Sequence, residues 1–463
     1  MSFRTILIAL MLGCTACAHA PASVASAETA ATDGADIDEM LRFRIDVQRR
    51  ATGAVVGVVT PEGARYHAYG SSRLDGGTPV TEKTVFDIGS LTKVFTAYLL
   101  SDAATRGELS LDDPIGKHLQ NVSAPSFNGA PIRLADLASH RSGLPLRPPN
   151  LSPADPDNPY AGYTTEQMIV ALDGYPLTQA PGTQFLYSNW AYGLLGYIVA
   201  ENAHADYETL LSQKLLKPLG MKDTSLTLTR AAAARRPQGY NRDFEPATPW
   251  DFGALAPAGG LHSTAADMLK FLAFFIDNGD GAMQQMLNVA GPADFPNTGI
   301  GLGWRVTEGE QETFAWSNGY VGGFRAFMGY NPRTRTGVIA LANAESAFGL
   351  DDIGMHILDP EFTVDMDAPV AHTEITLDAA ALDRVTGRYV SADDAFEIIR
   401  KGGAMFCILG TDEIPIFAEA PDRFFLKVVE ATLTFDLPAS GGPATGAVWR
   451  QNGVDFVYSR AAE

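Results

Sequence analysis

The sequence predicts an α+β fold: a mixed, mostly antiparallel sheet flanked by helices with an inserted helical subdomain, followed by a small antiparallel β-barrel. Three observations predict it. Strand-like apolar runs occur at both ends of residues 37–358 and bracket a long helical middle. The composition changes near residue 359, where prolines and acidic residues without clear periodicity indicate a linker. After residue 379, short apolar runs alternate with glycine, proline and aspartate turns, which is typical of a small barrel.

Length and composition narrow the classes of protein to which this chain could belong. With 463 residues the chain is too long for one ordinary core, so at least two domains are expected. The 46% of hydrophobic and 19% of charged residues are typical of globular proteins rather than disordered ones. The formal net charge of -20 argues against nucleic-acid binding.

The N-terminus has the pattern of a secretory signal peptide. A short basic start precedes the apolar run Ile6–Leu12 and then small residues, with a cleavage site predicted after Ala27. Residues 1–27 are therefore predicted to be a signal peptide and 28–38 a flexible lead-in, and the chain is expected to be periplasmic or secreted. The apolar run is too short for a permanent transmembrane helix. Lipid anchoring at Cys14 or Cys17 is an open alternative, because both follow small residues as in bacterial lipoprotein signals.

Only one cysteine remains after the predicted cleavage. Cys407 is then expected to be a buried, small apolar residue, and no internal disulfide is possible.

The main domain is predicted to span 39–358, and its elements can be read in order. A helix over 37–50 precedes a hairpin of strands 54–60 and 64–69, and a helix begins at Ser90 and ends near Gly107. A proline-rich loop up to Tyr163 is typical of a lid or binding segment. The remaining helices are predicted at 134–138, 165–172, 192–203, 207–216, 265–278 and 348–358. The remaining strands are predicted at 301–306, 313–316, 324–331 and 337–343.

The linker is predicted over 359–378 and the barrel domain over 379–463. Its strands are predicted at 387–390, 396–401, 404–409, 424–429, 433–436, 448–452 and 454–459.

Ser90 and Lys93 form the most informative motif, Ser-x-x-Lys at the start of a helix. A three-residue spacing places both side chains on one helix face. A serine hydroxyl is a weak nucleophile until a base takes its proton, and a lysine among apolar neighbours is a candidate helper because burial disfavours its charged form. The free N–H groups and positive dipole at a helix start could stabilise an oxyanion. The alternative is that Ser90 only caps the helix and Lys93 is solvated, since about one such motif is expected by chance at average composition.

Two further clusters follow in order. Tyr187-Ser188-Asn189 precedes a predicted helix, and Ser317-Asn318-Gly319-Tyr320 lies on a strand followed by a glycine turn.

The order Ser-x-x-Lys, Tyr-x-Asn and a strand motif ending in glycine resembles the serine β-lactamase-like, penicillin-recognising hydrolases of the class C type. This group includes class C β-lactamases, D-Ala-D-Ala carboxypeptidases, D-aminopeptidases and esterases. Three phrases support the resemblance over residues 40–358: Leu111–Ile115, Leu137–Pro145 and Gly259–Met268. The C-terminal barrel resembles the lipocalin-like appendages of some members.

The resemblance implies a role for each motif residue. Ser90 would attack a carbonyl and form an acyl-enzyme, and Tyr187 would be the general base, as a phenolate or through Lys93. A free tyrosine has a pKa near 10, so an adjacent ammonium would be needed to lower it. Whether Lys93 is neutral or charged stays open at this point. Asn189 would bind the substrate amide and orient Lys93.

The third motif would contact the substrate, and it departs from the family pattern. Backbone N–H groups of Ser90 and Tyr320 would form an oxyanion hole, while Ser317, Asn318 and Gly319 would bind substrate. The family carries Lys or His where this chain has Ser317, so a partner for a substrate carboxylate is missing. An uncharged ester or an amide without that carboxylate is therefore favoured, although Arg147 or Arg325 could supply the charge. The leading expectation is an exported serine hydrolase that acts by acyl transfer on an ester, amide or peptide of D-configured or cell-wall origin. The alternatives are a class C-like β-lactamase or D-Ala-D-Ala carboxypeptidase, and a non-catalytic penicillin-binding or cell-wall-binding module.

Other catalytic signatures are missing from the sequence. It contains no Gly-x-Ser-x-Gly, His-Glu-x-x-His or paired Cys-x-x-Cys motif, and no metal or cofactor is predicted.

Overall fold

The computed structural model describes residues 34–278, 281–309, 312–345, 349–368, 372–391, 395–409, 412–427, 431–451 and 454–461. These residues form two compact units, one running to residue 366 without 294–296, and the other containing 294–296 and the residues from 367 onward. The division near residue 366 falls within the predicted linker. The predicted signal peptide with Cys14 and Cys17, and the first part of the lead-in, lie outside the described residues.

The larger unit is built on an eight-stranded antiparallel sheet. Its strands lie side by side in the order β2 (Gly63–Gly70), β1 (Gly53–Thr60), β12 (Thr336–Ala342), β11 (Phe324–Asn331), β10 (Thr313–Val321), β9 (Arg305–Glu308), β8 (Thr298–Ile300) and β7 (Gly291–Pro292). Strands from the two ends of this unit's sequence pair with each other, since Val55 of β1 lies opposite Leu341 of β12, next to the edge strand β2. The predicted α+β class is thereby confirmed. The strands of this unit, including two short two-stranded ribbons, are β1 Gly53–Thr60, β2 Gly63–Gly70, β3 Phe86–Asp87, β4 Ser126–Phe127, β5 Ala130–Pro131, β6 His262–Ser263, β7 Gly291–Pro292, β8 Thr298–Ile300, β9 Arg305–Glu308, β10 Thr313–Val321, β11 Phe324–Asn331 and β12 Thr336–Ala342.

Helices cover the sheet and fill the middle of the unit. The helices are α1 Gly34–Arg42, α2 Thr92–Thr105, α3 Leu134–Ala138, α4 Thr165–Leu172, α5 Asn189–Asn202, α6 Tyr207–Leu211, α7 Arg230–Ala233, α8 Ala256–Gly259, α9 Ala265–Asn278, α10 Gly281–Leu287 and α11 Asp351–Leu358. Short 3₁₀ turns occur at Gly89–Leu91, Ile115–Lys117 and Gly253–Leu255, and π turns at Phe43–Val47 and Ser212–Leu216.

One glycine in a strand and one in a helix allow two helices to pack closely on the sheet. A β-carbon on Gly57 of β1 would lie 3.1 Å from Leu269 of α9. A β-carbon on Gly354 of α11 would overlap the ring of Phe327 on β11. Within the helical middle, the buried rings of Phe95 and Phe271 stack with centroids 4.6 Å apart and join α2 to α9.

Several predicted boundaries are wrong. The strand predicted at 301–306 begins only at Arg305, because Gly303 turns with φ +77° and its N–H donates to the carbonyl of Ala138. The strand predicted at 313–316 continues to Val321, since glycine in this strand permits close packing rather than ending it. The last helix of the unit begins at Asp351 rather than at residue 348.

The second unit contains a closed barrel of eight antiparallel strands. An unpredicted helix, α12 Ala379–Val385, precedes it and is capped by the side chain of Asp378. The strands are β13 Gly387–Val390, β14 Ala395–Lys401, β15 Ala404–Leu409, β16 Asp412–Ala418, β17 Arg423–Leu426, β18 Ala431–Phe435, β19 Gly446–Gln451 and β20 Val454–Arg460. The sequence did not indicate β16, because its acidic start and Pro415 hide the alternation of a strand.

Side chains fill the interior of the barrel. Phe396 packs edge-on against Trp449, and Tyr389 packs against Phe435, all four being buried. Cys407 is fully buried, as predicted. The barrel is therefore a packed core among its described residues.

Candidate active site

The segment before Ser90 forms a sharp bend between strand and helix. Gly89 follows β3 with a positive φ of 52° and opens a 3₁₀ turn that contains Ser90. The hydroxyl of Thr92 donates to the carbonyl of Gly89 at 2.7 Å and closes this turn. Ser90 therefore precedes α2, and Lys93 is the second residue of that helix, so the two side chains still face the same space.

Ser90, Lys93 and Tyr187 converge as the sequence predicted. The hydroxyl oxygens of Tyr187 and Ser90 lie 2.6 Å apart, and Lys93 Nζ donates to Ser90 Oγ at 3.0 Å. Lys93 is 2% exposed and also donates to the carbonyl oxygen of Ala258 at 2.6 Å. A hydroxyl in contact with both a phenol and an amine is arranged to lose its proton.

Helix α5 fixes the backbone beside Tyr187. Ser188 is the N-cap of α5, where its Oγ accepts from the N–H of Ala191 at 2.9 Å and donates to the carbonyl of Pro145. These bonds tie the residue after Tyr187 to both the helix and the preceding loop.

Asn189 lies in the site but does not bind Lys93. Its amide Nδ2 donates to the hydroxyl of Tyr160 at 2.9 Å, and its Oδ1 is buried without a hydrogen-bond partner. The expectation that Asn189 orients Lys93 is therefore corrected, because the carbonyl of Ala258 takes that role. The unsatisfied Oδ1 leaves an acceptor two residues along the chain from Tyr187.

One edge of β10 lies against the turn that carries Ser90. The pairing of β10 with β9 ends at Trp316, so the second half of the strand is open on that side. A β-carbon on Gly319 would lie 3.1 Å from the backbone nitrogen of Ser90, and one on Gly89 would lie 2.9 Å from both the nitrogen and the oxygen of Tyr320. The polar backbone atoms of Ser90 and Tyr320 thus share one small space.

Ser317 and Asn318 point to opposite sides of the sheet, as alternate strand residues must. Ser317 is only 4% exposed and lies on the face of Gly319. The amide of Asn318 donates to the carboxylate of Asp351 at 2.7 Å, on the face covered by α11. The structure directs this side chain away from Ser90, and substrate binding by Asn318 stays a prediction.

The comparisons with known proteins agree with this geometry. The family model described as Beta-lactamase matches residues 27–358. The chain belongs to the Beta-lactamase family. As a member of that family it is a serine hydrolase, as the motifs predicted.

Several relatives share most of this family domain. A beta-lactamase of Pseudomonas fluorescens is 28% identical over 332 residues, covering 64% of this chain and 89% of its own length. The D-alanyl-D-alanine-carboxypeptidase/endopeptidase AmpH of Escherichia coli K12 is 28% identical over 357 residues, covering 72% of this chain and 90% of its own. The chain is thus similar to enzymes that are named for two different activities.

Solved structures support the same assignment. A beta-lactamase/D-alanine carboxypeptidase from Yersinia pestis, crystallised with citrate, matches with a TM-score of 0.58 and 26% identity, covering 67% of this chain and 94% of that one. An octameric penicillin-binding protein homologue from Pyrococcus abyssi matches with a TM-score of 0.64 and 21% identity, covering 92% of this chain and 97% of that one. The second match concerns the fold alone, and it extends into the barrel unit.

In this member of the Beta-lactamase family, Arg147 and Arg325 lie in different environments. The guanidinium of Arg147 lies 5.4 Å from the ring centroid of Tyr160, whose hydroxyl accepts from Asn189. That of Arg325 lies 5.0 Å from the ring of Tyr320 and acts electrostatically on the buried carboxyl of Asp351. Arg147 therefore lies near the partner of Asn189, whereas Arg325 lies near Tyr320 and Asp351 of α11.

An aromatic cluster links the two sides of the site. Trp250 packs edge-on against Tyr160 and against Tyr320, with ring centroids 5.8 and 5.9 Å away. Phe252 stacks on Tyr160 at 5.2 Å. The cluster therefore joins Tyr160, the partner of Asn189, to Tyr320 near the end of β10.

Sequence reasoning missed three further groups around Lys93 and Tyr187. These are the carbonyl of Ala258 and the side chains of Tyr192 and His140. Lys93 Nζ lies 4.8 Å from the ring of Tyr187 and 5.6 Å from that of Tyr192. Burial raises the pKa of Tyr192 far above its ordinary value, and its hydroxyl donates to the carbonyl of Ala138 at 2.5 Å. The family phrase Leu137–Pro145 contains His140, and the phrase Gly259–Met268 begins directly after Ala258, but neither phrase indicated these contacts.

The described part of the chain contains neither a metal-binding cluster nor a helix that could span a membrane. Its His, Cys, Asp and Glu side chains form no group of three or more that could hold a metal ion. Its helices include none that is both long and apolar enough to cross a membrane.

Proposed function

We propose that this hydrolase forms an acyl-enzyme on Ser90 and hydrolyses esters, or amides, that lack the carboxylate typical of β-lactam and D-Ala-D-Ala substrates. The observation that carries the proposal is the convergence of three groups: Ser90 Oγ lies 2.6 Å from the hydroxyl of Tyr187 and 3.0 Å from Nζ of Lys93.

In the first step, Tyr187 takes the proton of Ser90 while Ser90 Oγ attacks the substrate carbonyl. Lys93 acts as an ammonium that holds the tyrosine as a phenolate. Its two hydrogen-bond donations and its position near two aromatic rings support the charged form, because an ammonium offers three donors and is attracted to aromatic faces. The proton then passes from Tyr187 to the leaving alcohol or amine.

The negative charge that develops on the carbonyl oxygen is bound by the backbone N–H groups of Ser90 and Tyr320. The close approach of Gly89 and Gly319 to these atoms supports this assignment. Each such donor contributes about 2.7–4 kcal/mol to transition-state stabilisation. Asn189, with its unsatisfied Oδ1, accepts a hydrogen bond from the substrate. A water molecule activated by Tyr187 then attacks the ester and releases the acid.

The substrate preference follows from charge. Ser317 offers no positive charge at the position where the family carries Lys or His, and it is nearly buried. Trp250, which is partly exposed and packs against Tyr160 and Tyr320, offers an apolar surface for an acyl group. Exposed Leu146 and Leu186, which flank this region in the sequence, extend the apolar surface.

The second candidate is a class C-like β-lactamase or D-Ala-D-Ala carboxypeptidase. It is favoured by the activities for which the relatives from Pseudomonas fluorescens and Escherichia coli are named. Arg147, near Tyr160, would then have to bind the substrate carboxylate in place of a residue at position 317.

The N-terminal pattern supports export to the periplasm or beyond the cell. Residues 1–27 have the composition of a signal peptide, and Cys14 and Cys17 each suit a lipid anchor. Labelling of cells with a radioactive fatty acid, comparing the natural chain with Cys14→Ala and Cys17→Ala, distinguishes an anchored from a released protein.

The function is tested by mass spectrometry and a substrate panel. A fluorophosphonate should add one adduct at Ser90, which Ser90→Ala abolishes. The purified chain should then turn over p-nitrophenyl esters far faster than a chromogenic cephalosporin. Rapid cephalosporin turnover would support the second candidate, and a stable β-lactam adduct without any turnover would support the non-catalytic binding module. Absence of any adduct at Ser90 contradicts the acyl-enzyme.

A further inference from the structure

His140 contacts the backbone on both sides of Tyr187. Its carbonyl oxygen accepts a hydrogen bond from the N–H of Leu186 at 2.7 Å, and its Nδ1 accepts one from the N–H of Ser188 at 3.0 Å. One residue, 47 positions earlier than Tyr187 in the chain, therefore binds the backbone N–H groups of the two residues that flank the candidate base.

The ring of His140 also lies against the ring of Tyr187. The two rings stack with centroids 4.3 Å apart and an interplanar angle of 30°. Phe185 meets His140 edge-on at 5.6 Å, and Tyr192 is tilted against it at 5.0 Å. His140 is 3% exposed, so its ring is fixed by packing as well as by hydrogen bonds.

The backbone of His140 adopts an uncommon conformation. Its φ of 56° lies in the left-handed region, which residues other than glycine rarely occupy except for Asn, Asp and His. Such conformations persist only where the surrounding structure enforces them, and they are concentrated at functional sites. Here the conformation allows the carbonyl and the ring of one residue to reach the same short segment.

The hydrogen bond from Ser188 also fixes the protonation of the imidazole. A nitrogen that accepts from a backbone N–H carries no proton, so His140 is neutral while this bond exists. Ser90, Lys93, His140 and Tyr192 are among the polar groups that contact or closely approach Tyr187. Of these four, Lys93 alone is a cation when His140 is neutral.

We propose that His140 is a positioning residue for Tyr187: it clamps residues 186–188 and stacks on the phenol so that its hydroxyl stays on Ser90 and its ring beside Lys93. This inference rests on the proposed function, because it assigns the clamp to the base of that reaction. It acts through Tyr187 and touches no reacting atom itself.

Two variants separate the elements of the clamp. His140→Asn keeps a side-chain acceptor and tolerates positive φ, but removes the stacked ring. His140→Phe keeps a ring and removes the acceptor. His204→Asn is a matched control, because His204 has a similar φ of 53°, is exposed and lies beyond the far end of α5.

The readouts are the rate of Ser90 acylation by a fluorophosphonate, the pH profile of kcat/KM for an ester, and the midpoint of thermal unfolding. We expect both His140 variants to lose about 10–100-fold in acylation rate, since misplacement by about 1 Å can cost 10²-fold. We also expect the acidic limb of the profile to move to higher pH, because a tyrosine released from Lys93 is harder to ionise. His204→Asn should match the natural chain.

A merely structural role for His140 would lower the unfolding midpoint and the active fraction but leave the acidic limb in place. That result, or acylation within twofold of the natural chain in both variants, overturns the inference. If the natural chain itself is not acylated at Ser90, the proposed function fails first and the inference fails with it. The two failures are therefore distinguishable.

Discussion

The α-carbon of Gly319 packs directly on the carbonyl oxygen of Ile88, so that a β-carbon at this glycine would overlap that oxygen. The obstructing atom belongs to the backbone of the segment that carries Ser90. Any side chain at position 319 must therefore push β10 and the nucleophile turn apart.

Gly319→Ala should consequently lower the rate of Ser90 acylation about 100-fold, because separating the donors at Ser90 and Tyr320 removes an interaction worth about 2.7–4 kcal/mol. The rate is measured with a fluorophosphonate on folded protein. Gly281→Ala is the control, since the nearest atom to its β-carbon would be a methyl group 3.8 Å away. Equal acylation rates for both variants would contradict the proposed oxyanion hole.

The motif residues could be found from sequence because each stands in a short, ordered pattern. Ser90, Lys93 and Tyr187 lie where the patterns indicated, and the sheet joins strands from both ends of the domain as the alternation of strands suggested. The direction of Asn318 was missed because the open edge of β10 and the position of α11 decide it, and neither is encoded locally. The hydrogen bond from Lys93 to the carbonyl of Ala258 was missed as well. Every residue type has a backbone carbonyl, so the sequence does not indicate which one accepts this bond.

A buried ion pair lies three residues before the nucleophile. Asp87 accepts two hydrogen bonds from Arg236, at 2.7 and 2.6 Å, and lies 2.7 Å from Nδ1 of His262. Burial alone would raise the pKa of Asp87, but the hydrogen bonds from Arg236 and His262 outweigh it and lower the pKa to about 2. Asp87→Asn should therefore cost about 3–5 kcal/mol of unfolding free energy at pH 7, as broken buried pairs do.

The same pair sets an acid limit on stability. Because folding lowers the pKa of Asp87, its contribution is complete above about pH 4 and is lost as the pH falls toward 2. Urea unfolding between these values should show a steep fall in the natural chain and a shallower one in Asp87→Asn. Asp112→Asn, which removes an exposed carboxylate paired with Arg133, is the surface control and should cost less than about 1 kcal/mol. A similar loss in both variants would contradict the buried pair's role.

The pKa of Asp351 is shifted in the opposite direction to that of Asp87. Burial raises its pKa to about 6, against the opposing effects of Arg325 and of the hydrogen bond from Asn318. Although part of the residue is exposed, its Oδ1 is buried without a hydrogen-bond partner. Because the folded state holds the proton more tightly than the unfolded chain does, the stability of the unit decreases as the pH rises from about 4 through 6.

Asp351→Asn should thus stabilise the protein at pH 8, by about 1–2 kcal/mol, and change little at pH 4, where the unfolded chain begins to ionise this group, since asparagine retains an acceptor for Asn318. Thermal unfolding at the two pH values measures the effect. Asp352→Asn provides the contrast. Asp352 accepts hydrogen bonds from Arg44 and from the N–H of Asp365, so this substitution should destabilise the protein at both pH values. A loss of stability at pH 8 in Asp351→Asn would show that the charged form is needed.

Substrate charge is tested at Ser317, where the family carries a cation. Ser317→Lys and Ser317→His should raise kcat/KM for a carboxylate-bearing cephalosporin, relative to an uncharged p-nitrophenyl ester, by about tenfold or more, because hydrogen bonds to charged groups contribute about 1.5–3 kcal/mol. Ser317→Ala is the control and should leave this ratio unchanged. Since the site is nearly buried, unfolding midpoints must accompany the rates.

The pH dependence of the same ratio identifies charge as its cause. The advantage of Ser317→His should disappear as the pH rises through about 6.5, where imidazole loses its proton, whereas that of Ser317→Lys should persist up to about pH 10. A cation at this position that leaves the ratio unchanged would mean that Arg147, 5.4 Å from the ring of Tyr160, already binds the carboxylate. In that case Arg147→Met should lower cephalosporin turnover selectively, and the ester preference proposed for this chain would be wrong.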